Sequence, residues 1–201
     1  MNPADRNALE FALQIKEKAA QWNTMGGKVE ITTLMLASSE NEGILKETLA
    51  LEADRAVILS DPAFLAGDAT AAASALGQAA SKLKADLILC GEGALGHLIA
   101  EEMKIPSVHS VVKISFDESG MKLLSKTKDG EEKVAVSPPL LASIVAGSNT
   151  PRIANAIKIM KAAKKEIIRW TPTDLDLPPD KVGSAASGMV RLRSFIPDSN
   201  G

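Results

Sequence analysis

Apolar residues recur at helical spacing near the start of the chain, where Ala8, Leu9, Phe11, Ala12, Leu13 and Ile15 form a stripe running toward Trp22. Asn2 can cap free backbone N–H groups, Pro3 suits the first helical position, Asp5 meets the positive helix end, and Gly26–Gly27 stops the pattern. From Lys28 to Leu36 the period changes to two, with Val29, Ile31, Thr33 and Met35 alternating, which predicts a strand. A helix over 40–51 carries Ile44, Leu45, Thr48 and Leu49, and a strand over 55–59 follows at once. Asp61–Pro62 breaks the chain, an Ala-rich helix spans about 68–83, and 86–90 is a short buried strand. Gly91, Gly93 and Gly96 then make a tight turn into a helix that runs through Met103.

Alternation of strands and helices at these connection lengths implies right-handed crossovers and a mostly parallel sheet covered by helices, an α/β fold. Beyond Pro106 the pattern is different, with strands expected at 108–116, 121–127 and 133–136 and turns at 118–120 and 128–130, so antiparallel strands are added in the second half. An apolar strand at 140–146, a helix opened by Pro151–Arg152 and running to about Lys165, and a last strand at 166–170 complete the expected elements. The chain therefore divides into an α/β domain over 1–170 and an extended C-terminal arm over 171–201, whose Pro172, Pro178, Pro179 and Gly/Ser/Ala stretch bury little.

Composition narrows the function classes. With 201 residues, 45% of them hydrophobic, one domain with a sizeable core is expected. Lys and Arg number 23 against 25 Asp and Glu, so there is no basic surplus for nucleic acid, and the 3% aromatic content gives no base-stacking platform. The single cysteine, Cys90, excludes an internal disulfide framework and a Cys-based structural zinc site. The chain shows no signal-peptide pattern and no run of about 18 apolar residues, so no membrane insertion and a cytoplasmic location are the expectations.

Few residues are candidates for chemistry. Gly91-Glu92-Gly93-Ala94-Leu95-Gly96 follows a strand and opens a helix, the setting in which backbone N–H groups can hold a phosphate. The same glycines also suit a tight strand-to-helix turn with no ligand, and Glu92 would repel a phosphate. Cys90 reads as a small core residue, and His97 and His109 lie on different elements with no acidic or cysteine cluster beside them, so no catalytic and no metal-binding residue is assigned. Asp54–Arg55 reads as a surface ion pair, while Glu101–Glu102 and Lys161 to Lys165 read as solvated helix faces. Asn149-Thr150-Pro151-Arg152 is either a helix cap or a fixed arginine that docks a partner.

Several segments, in order, resemble the beta subunit of the electron transfer flavoproteins over nearly the whole chain. Met1-Asn2-Pro3 with Asn7-Ala8-Leu9-Glu10 is similar to that family's first helix, and Leu49-Ala50-Leu51-Glu52-Ala53-Asp54-Arg55 to its Leu-Ala-Met-Gly-Ala-Asp-Arg segment. Asp61-Pro62-Ala63-Phe64, Gly67-Asp68, Asp86-Leu87-Ile88-Leu89-Cys90-Gly91, and Asn149-x-Pro151-Arg152 with Ile159-Met160-Lys161-Ala162 continue the match. The resemblance implies an adenine-nucleotide-binding, Rossmann-like α/β fold paired with an alpha subunit that holds the redox FAD, with AMP or a second FAD in the beta chain. Electrons would pass from a dehydrogenase to a quinone reductase or similar acceptor, and this chain would be an electron carrier subunit with no catalysis of its own. By the same resemblance Asn2, Ala37, Ser38, Gly91, Gly93 and Gly96 lie near the nucleotide, and Asn149, Pro151, Arg152, Ala156 and Ile157 near the redox partner.

Three departures accompany the match. The family's N-terminal strand and hairpin have no counterpart before Asn2, which implies a start placed too late or a degenerate member, a direct pairing of the strands at Lys28 and Asp86, or a partner that fills the gap. The loop after Gly91 lacks the family's Asp-rich stretch and Gln/Thr-Gly pair. Ala156, beside Ile157, stands where the family carries a partner-docking leucine. A nucleotide-free scaffold subunit, or less favourably a stand-alone adenine-nucleotide sensor of the universal-stress type, are the alternative functions.

Overall fold

A computed structural model describes residues 1–22, 29–117 and 120–189. The first helix, α1 (Pro3–Trp22), starts as its sequence directs, since the Asn2 side chain accepts the Ala4 N–H at 2.9 Å. After it come β1 (Thr32–Leu36), α2 (Glu42–Ala50) and β2 (Arg55–Leu59). The strand expected from Lys28 thus begins at Thr32, and Gly26, Gly27 and Lys28 lie outside the described residues. Asp61–Pro62 separates β2 from the next element, as expected, and also starts that element. Asp61 caps a short helix, α3 (Pro62–Leu65), by accepting the Ala63 N–H at 2.8 Å, with Pro62 in the first turn. Asp68 caps α4 (Ala69–Lys82) in the same way, through the Thr70 and Ala71 N–H groups.

The chain continues through β3 (Leu87–Gly91), α5 (Ala94–Met103), β4 (Ser107–Asp117), β5 (Gly120–Thr127), β6 (Gly130–Ala135) and β7 (Leu140–Ile144). It then forms α6 (Ala156–Ala163) and β8 (Ile168–Arg169). The strands form two sheets. One is all parallel, ordered β1-β2-β8; the other is mixed, ordered β3-β7-β4-β5-β6, with β3, β7 and β4 parallel and β4, β5 and β6 antiparallel. The α/β class and the antiparallel second half agree with the sequence pattern. The direct pairing of the Lys28 and Asp86 strands does not occur: no ladder joins β1 to β3 among the described residues.

Helices bridge the two sheets. On one face Leu34 and Leu36 of β1 and Ile88 and Cys90 of β3 pack against a single core built on Ala73, Leu76, Ala79, Ile99 and Leu141. On the other, α1 sends Ala8 and Phe11 onto β3 and β7, while its Leu9 and Leu13 reach Ile31, Leu51 and Ala53 beside the first sheet. Directions follow from polar contacts. Asp5, at the start of α1, bonds Gly91 at the end of β3, whereas Lys16, near the far end of the helix, pairs at 2.6 Å with Asp54, whose carboxylate takes the Ile31 N–H just before β1. Both strands therefore run antiparallel to α1 and parallel to each other. Asp54 and Arg55 are not an ion pair with each other, as the sequence led us to expect: Asp54 binds Lys16, and Arg55 binds Glu30.

Two further expectations change. Pro151–Arg152 does not open a helix; residues 151–155 are irregular, and α6 begins at Ala156 under an Asn155 side chain that accepts the Lys158 N–H at 2.9 Å. The segment after Thr171, expected to bury little, folds as single 3-10 turns along α4 and inserts Leu175 and Val182 into the core. Residues 190–201 of the expected arm lie outside the described residues.

Candidate functional site

Sequence reasoning marked two regions, and both are organised by α1. At its N-terminus Asn2 caps the helix, and Asp5 in the same turn reaches the end of β3, where its carboxylate accepts the Gly91 N–H at 2.7 Å. A Cβ on Gly91 would stand 2.8 Å from the Ala4 Cβ and 2.8 Å from the Asp5 carboxylate, so this glycine lets α1 sit down on the strand end. Gly96 has a similar structural use, because a Cβ there would meet the Cys90 sulfur at 2.8 Å. Gly93 is different: it caps α5 at φ +150° with open space around it. Ala37 and Ser38 follow β1 at the same end of the molecule; the Ala37 N–H donates to the Leu59 carbonyl, and the Ser38 hydroxyl takes the Asn41 amide. The structure therefore gathers Asn2 and the Gly91 turn around α1, and leaves Ala37 and Ser38 at the end of the other sheet.

Next to the Gly91 turn lies a polar group that sequence reasoning did not assemble. A bulge in β4 between Val108 and Val111 puts Ser110 at φ +52° and turns His109 back onto His97, the two imidazoles stacking at 3.3 Å. Ser143 and Ser107 hydroxyls lie 3.1 and 2.9 Å from the two His109 ring nitrogens, and the Ser110 hydroxyl donates to Glu92 at 3.3 Å. Burial, and then His97, hold the His109 imidazole below its usual pKa. Cys90 is the inert thiol its strand position implied: burial, and then the Asp5 charge, push it up to about 11. Among the described residues no cluster of three or more His, Cys, Asp or Glu side chains forms a metal site.

The second region spans Asn149 to Met160. Asn7, buried in α1, receives the Asn149 amide on its carbonyl and donates to the Asn149 backbone and side-chain oxygens at 2.8 and 2.6 Å. Three residues further along α1, Glu10 accepts the Arg152 backbone N–H at 3.1 Å and its guanidinium at 2.9 Å, and Glu17 takes the other side of the fork at 2.6 Å. Burial alone would raise the Glu10 carboxyl, but the Arg152 hydrogen bonds, side chain then backbone, and the Gln14 amide bring it below the usual carboxylate range. Clamped this way, 151–155 delivers α6 with its apolar side outward. Ala162 is buried against Leu45 and Leu49 of α2, while Ile153, Ile157, Ile159 and Met160 are 94%, 64%, 55% and 69% exposed. Ala156 and Ile157 both face solvent here; Pro151 and Arg152 are half-buried at its base. Glu10 and Met160 entered the sequence reading only as positions of the resemblance, and Glu17 and Ile153 not at all; a fixed Arg152 was the one signal that acidic partners had to exist.

Among the described residues no helix is long and apolar enough to cross a membrane. Residues 1–175 match the family model of the electron transfer flavoprotein domain. The chain is 34% identical over 207 residues to an electron transfer flavoprotein subunit beta of Thermoanaerobacterium thermosaccharolyticum, covering 99% of this chain and 76% of that protein. It is 32% identical over 194 residues to the corresponding subunit of Clostridium acetobutylicum, covering 93% and 72%. It is also 32% identical over 209 residues to the caffeyl-CoA reductase-Etf complex subunit CarD of Acetobacterium woodii, covering 100% and 77%. On this evidence the chain belongs to the electron transfer flavoprotein family, as a member of the beta-subunit type.

Proposed function

We propose that this chain is the beta-like half of a cytoplasmic electron-transferring heterodimer, pairing with an alpha-like subunit that carries the FAD and performing no catalysis alone. The observation that carries the docking assignment is the outward apolar face of α6. A helix whose buried side is Ala162 and whose solvent side holds Ile157, Ile159 and Met160 has the amphipathicity of a surface that is covered in an assembly. Asn149, Pro151 and Arg152 set its position through Asn7, Glu10 and Glu17, and Ala156 and Ile157 lie on the presented face. A dehydrogenase or reductase is the partner of this face, as the relative in Acetobacterium woodii is named for a complex with a CoA-ester reductase.

Co-expression with an alpha-like subunit, copurification and an absorbance spectrum test the pairing, and a flavin-bearing complex is expected. An Ile157→Asp, Met160→Asp variant of that complex is expected to keep its flavin and to lose at least about tenfold in apparent affinity for the electron donor, as removal of anchors at the centre of an interface does. A chain that never copurifies with an alpha-like subunit, or a variant that accepts electrons as well as the parent, overturns the assignment.

A further inference from the structure

The family implies a nucleotide at the carboxyl end of the central strands, and the residues at the end of β3 do not fit its phosphates. Phosphate held at a strand-to-helix turn needs free backbone N–H groups, room for the backbone to approach, and a positive field. Gly91 and Glu92 offer neither free N–H groups nor room; Gly93 beyond them is open, so at the start of α5 the field decides. The Gly91 N–H is committed to the Asp5 carboxylate at 2.7 Å, and the Glu92 N–H to the Ile144 carbonyl at 3.1 Å. The space above Gly91 is filled by Ala4 and Asp5 themselves. The field has the wrong sign as well. Asp5 and Glu92 place carboxylates beside the turn, and the only lysine or arginine between Asp86 and His109 is Lys104, at the opposite end of α5. Arg6, the nearest cation along α1, is paired with Glu47 at 2.9 Å. A phosphate placed at the start of α5 would therefore face the Asp5 and Glu92 carboxylates as well as the helix dipole.

We infer that this chain excludes nucleotide phosphates from the end of β3, through the Asp5 and Glu92 carboxylates and the seating of α1 on Gly91. The choice of nucleotide to test rests on the proposed function; the exclusion rests on Gly91, Asp5 and Glu92.

Binding of AMP and of FAD to the full chain by isothermal titration, with amide exchange over residues 91–97 followed in parallel, tests it. Up to about 1 mM nucleotide, no saturable binding that slows these amides is expected. Saturable binding with protection of 91–97 overturns the inference. Reversing one charge on the exposed side chain, Glu92→Lys, is expected to bring AMP binding into the range below about 1 mM; a variant that still binds no AMP there also overturns it. A chain that binds no nucleotide and no alpha-like subunit counts against the proposed function and leaves the exclusion standing.

Discussion

Among the described residues Glu10 is the one ionisable side chain that is buried. Its carboxylate is buried, and Arg152 answers it with both a guanidinium fork and a backbone N–H, across 142 positions of chain. Removing one member of such a pair leaves a charge with little water to replace its partner, so Arg152→Ala is expected to cost about 3 kcal/mol, read from urea unfolding at pH 7. Glu10→Gln in combination with it should cost less than the two single changes added, because the second change removes the orphaned charge. The pH dependence has a definite sign. Since the folded carboxyl titrates below its unfolded value of about 4.3, its contribution is complete above that value and fades as pH falls through the lower folded one. Unfolding curves between pH 7 and pH 3 are expected to show a steeper acid loss for the parent than for Glu10→Gln; parallel curves would remove Glu10 from the account.

At the scale of elements, α6 is where the local sequence misleads most. Pro at a first helical position is a good start signal, and Pro151–Arg152 carries it, yet Arg152 spends its backbone N–H on Glu10 and the helix waits for Asn155. A contact with a residue so distant in sequence leaves no periodic trace, so the start of α6 is not readable from its neighbours. Elements that obey local rules were legible: the Asn2 cap, the start of α4 near Asp68 and the alternation of strands and helices through Met103. So was the turn over 128–130, where Gly130 is at positive φ, while residues 118 and 119 of the other expected turn lie outside the described residues. The apolar face proposed for docking was not legible, because exposure of Ile153, Ile157 and Met160 depends on which side of α6 meets α2. That side can be tested for stability apart from binding. Ile157→Asp, fully on the solvent side, is expected to move unfolding free energy by no more than about 0.5 kcal/mol, whereas Ala162→Asp would bury a charge against Leu45 and Leu49 and unfold the helix. Equal losses would mean that α6 packs by its other face.

The molecule as a whole is one parallel and one mixed sheet held in one direction by shared helices, with no ladder between them among the described residues. That arrangement was not legible, because strand neighbours are chosen by tertiary packing and β1 and β3 read individually as ordinary apolar strands. Its physical consequence is unequal protection. β2 lies between β1 and β8, and β7 between β3 and β4, so their amides are bonded on both sides, and Val57, Ile58, Leu141 and Ala142 are fully buried. β1 and β3 are bonded on one side, and every residue of both strands is only half-buried. Alternate amides of Thr32–Leu36 and Leu87–Cys90, those turned away from β2 and β7, have no ladder partner among the described residues, and such edges open without unfolding the rest. Native-state hydrogen exchange of the chain alone should find these amides exchanging at least about a hundredfold faster than those of β2 and β7. Equal protection across all four strands would mean that something covers the two edges in solution, and mixing with an alpha-like subunit distinguishes the sources: if slow exchange on β1 and β3 appears only in the complex, the partner lies over the divide between the sheets, and if it is present beforehand, the chain associates with itself there.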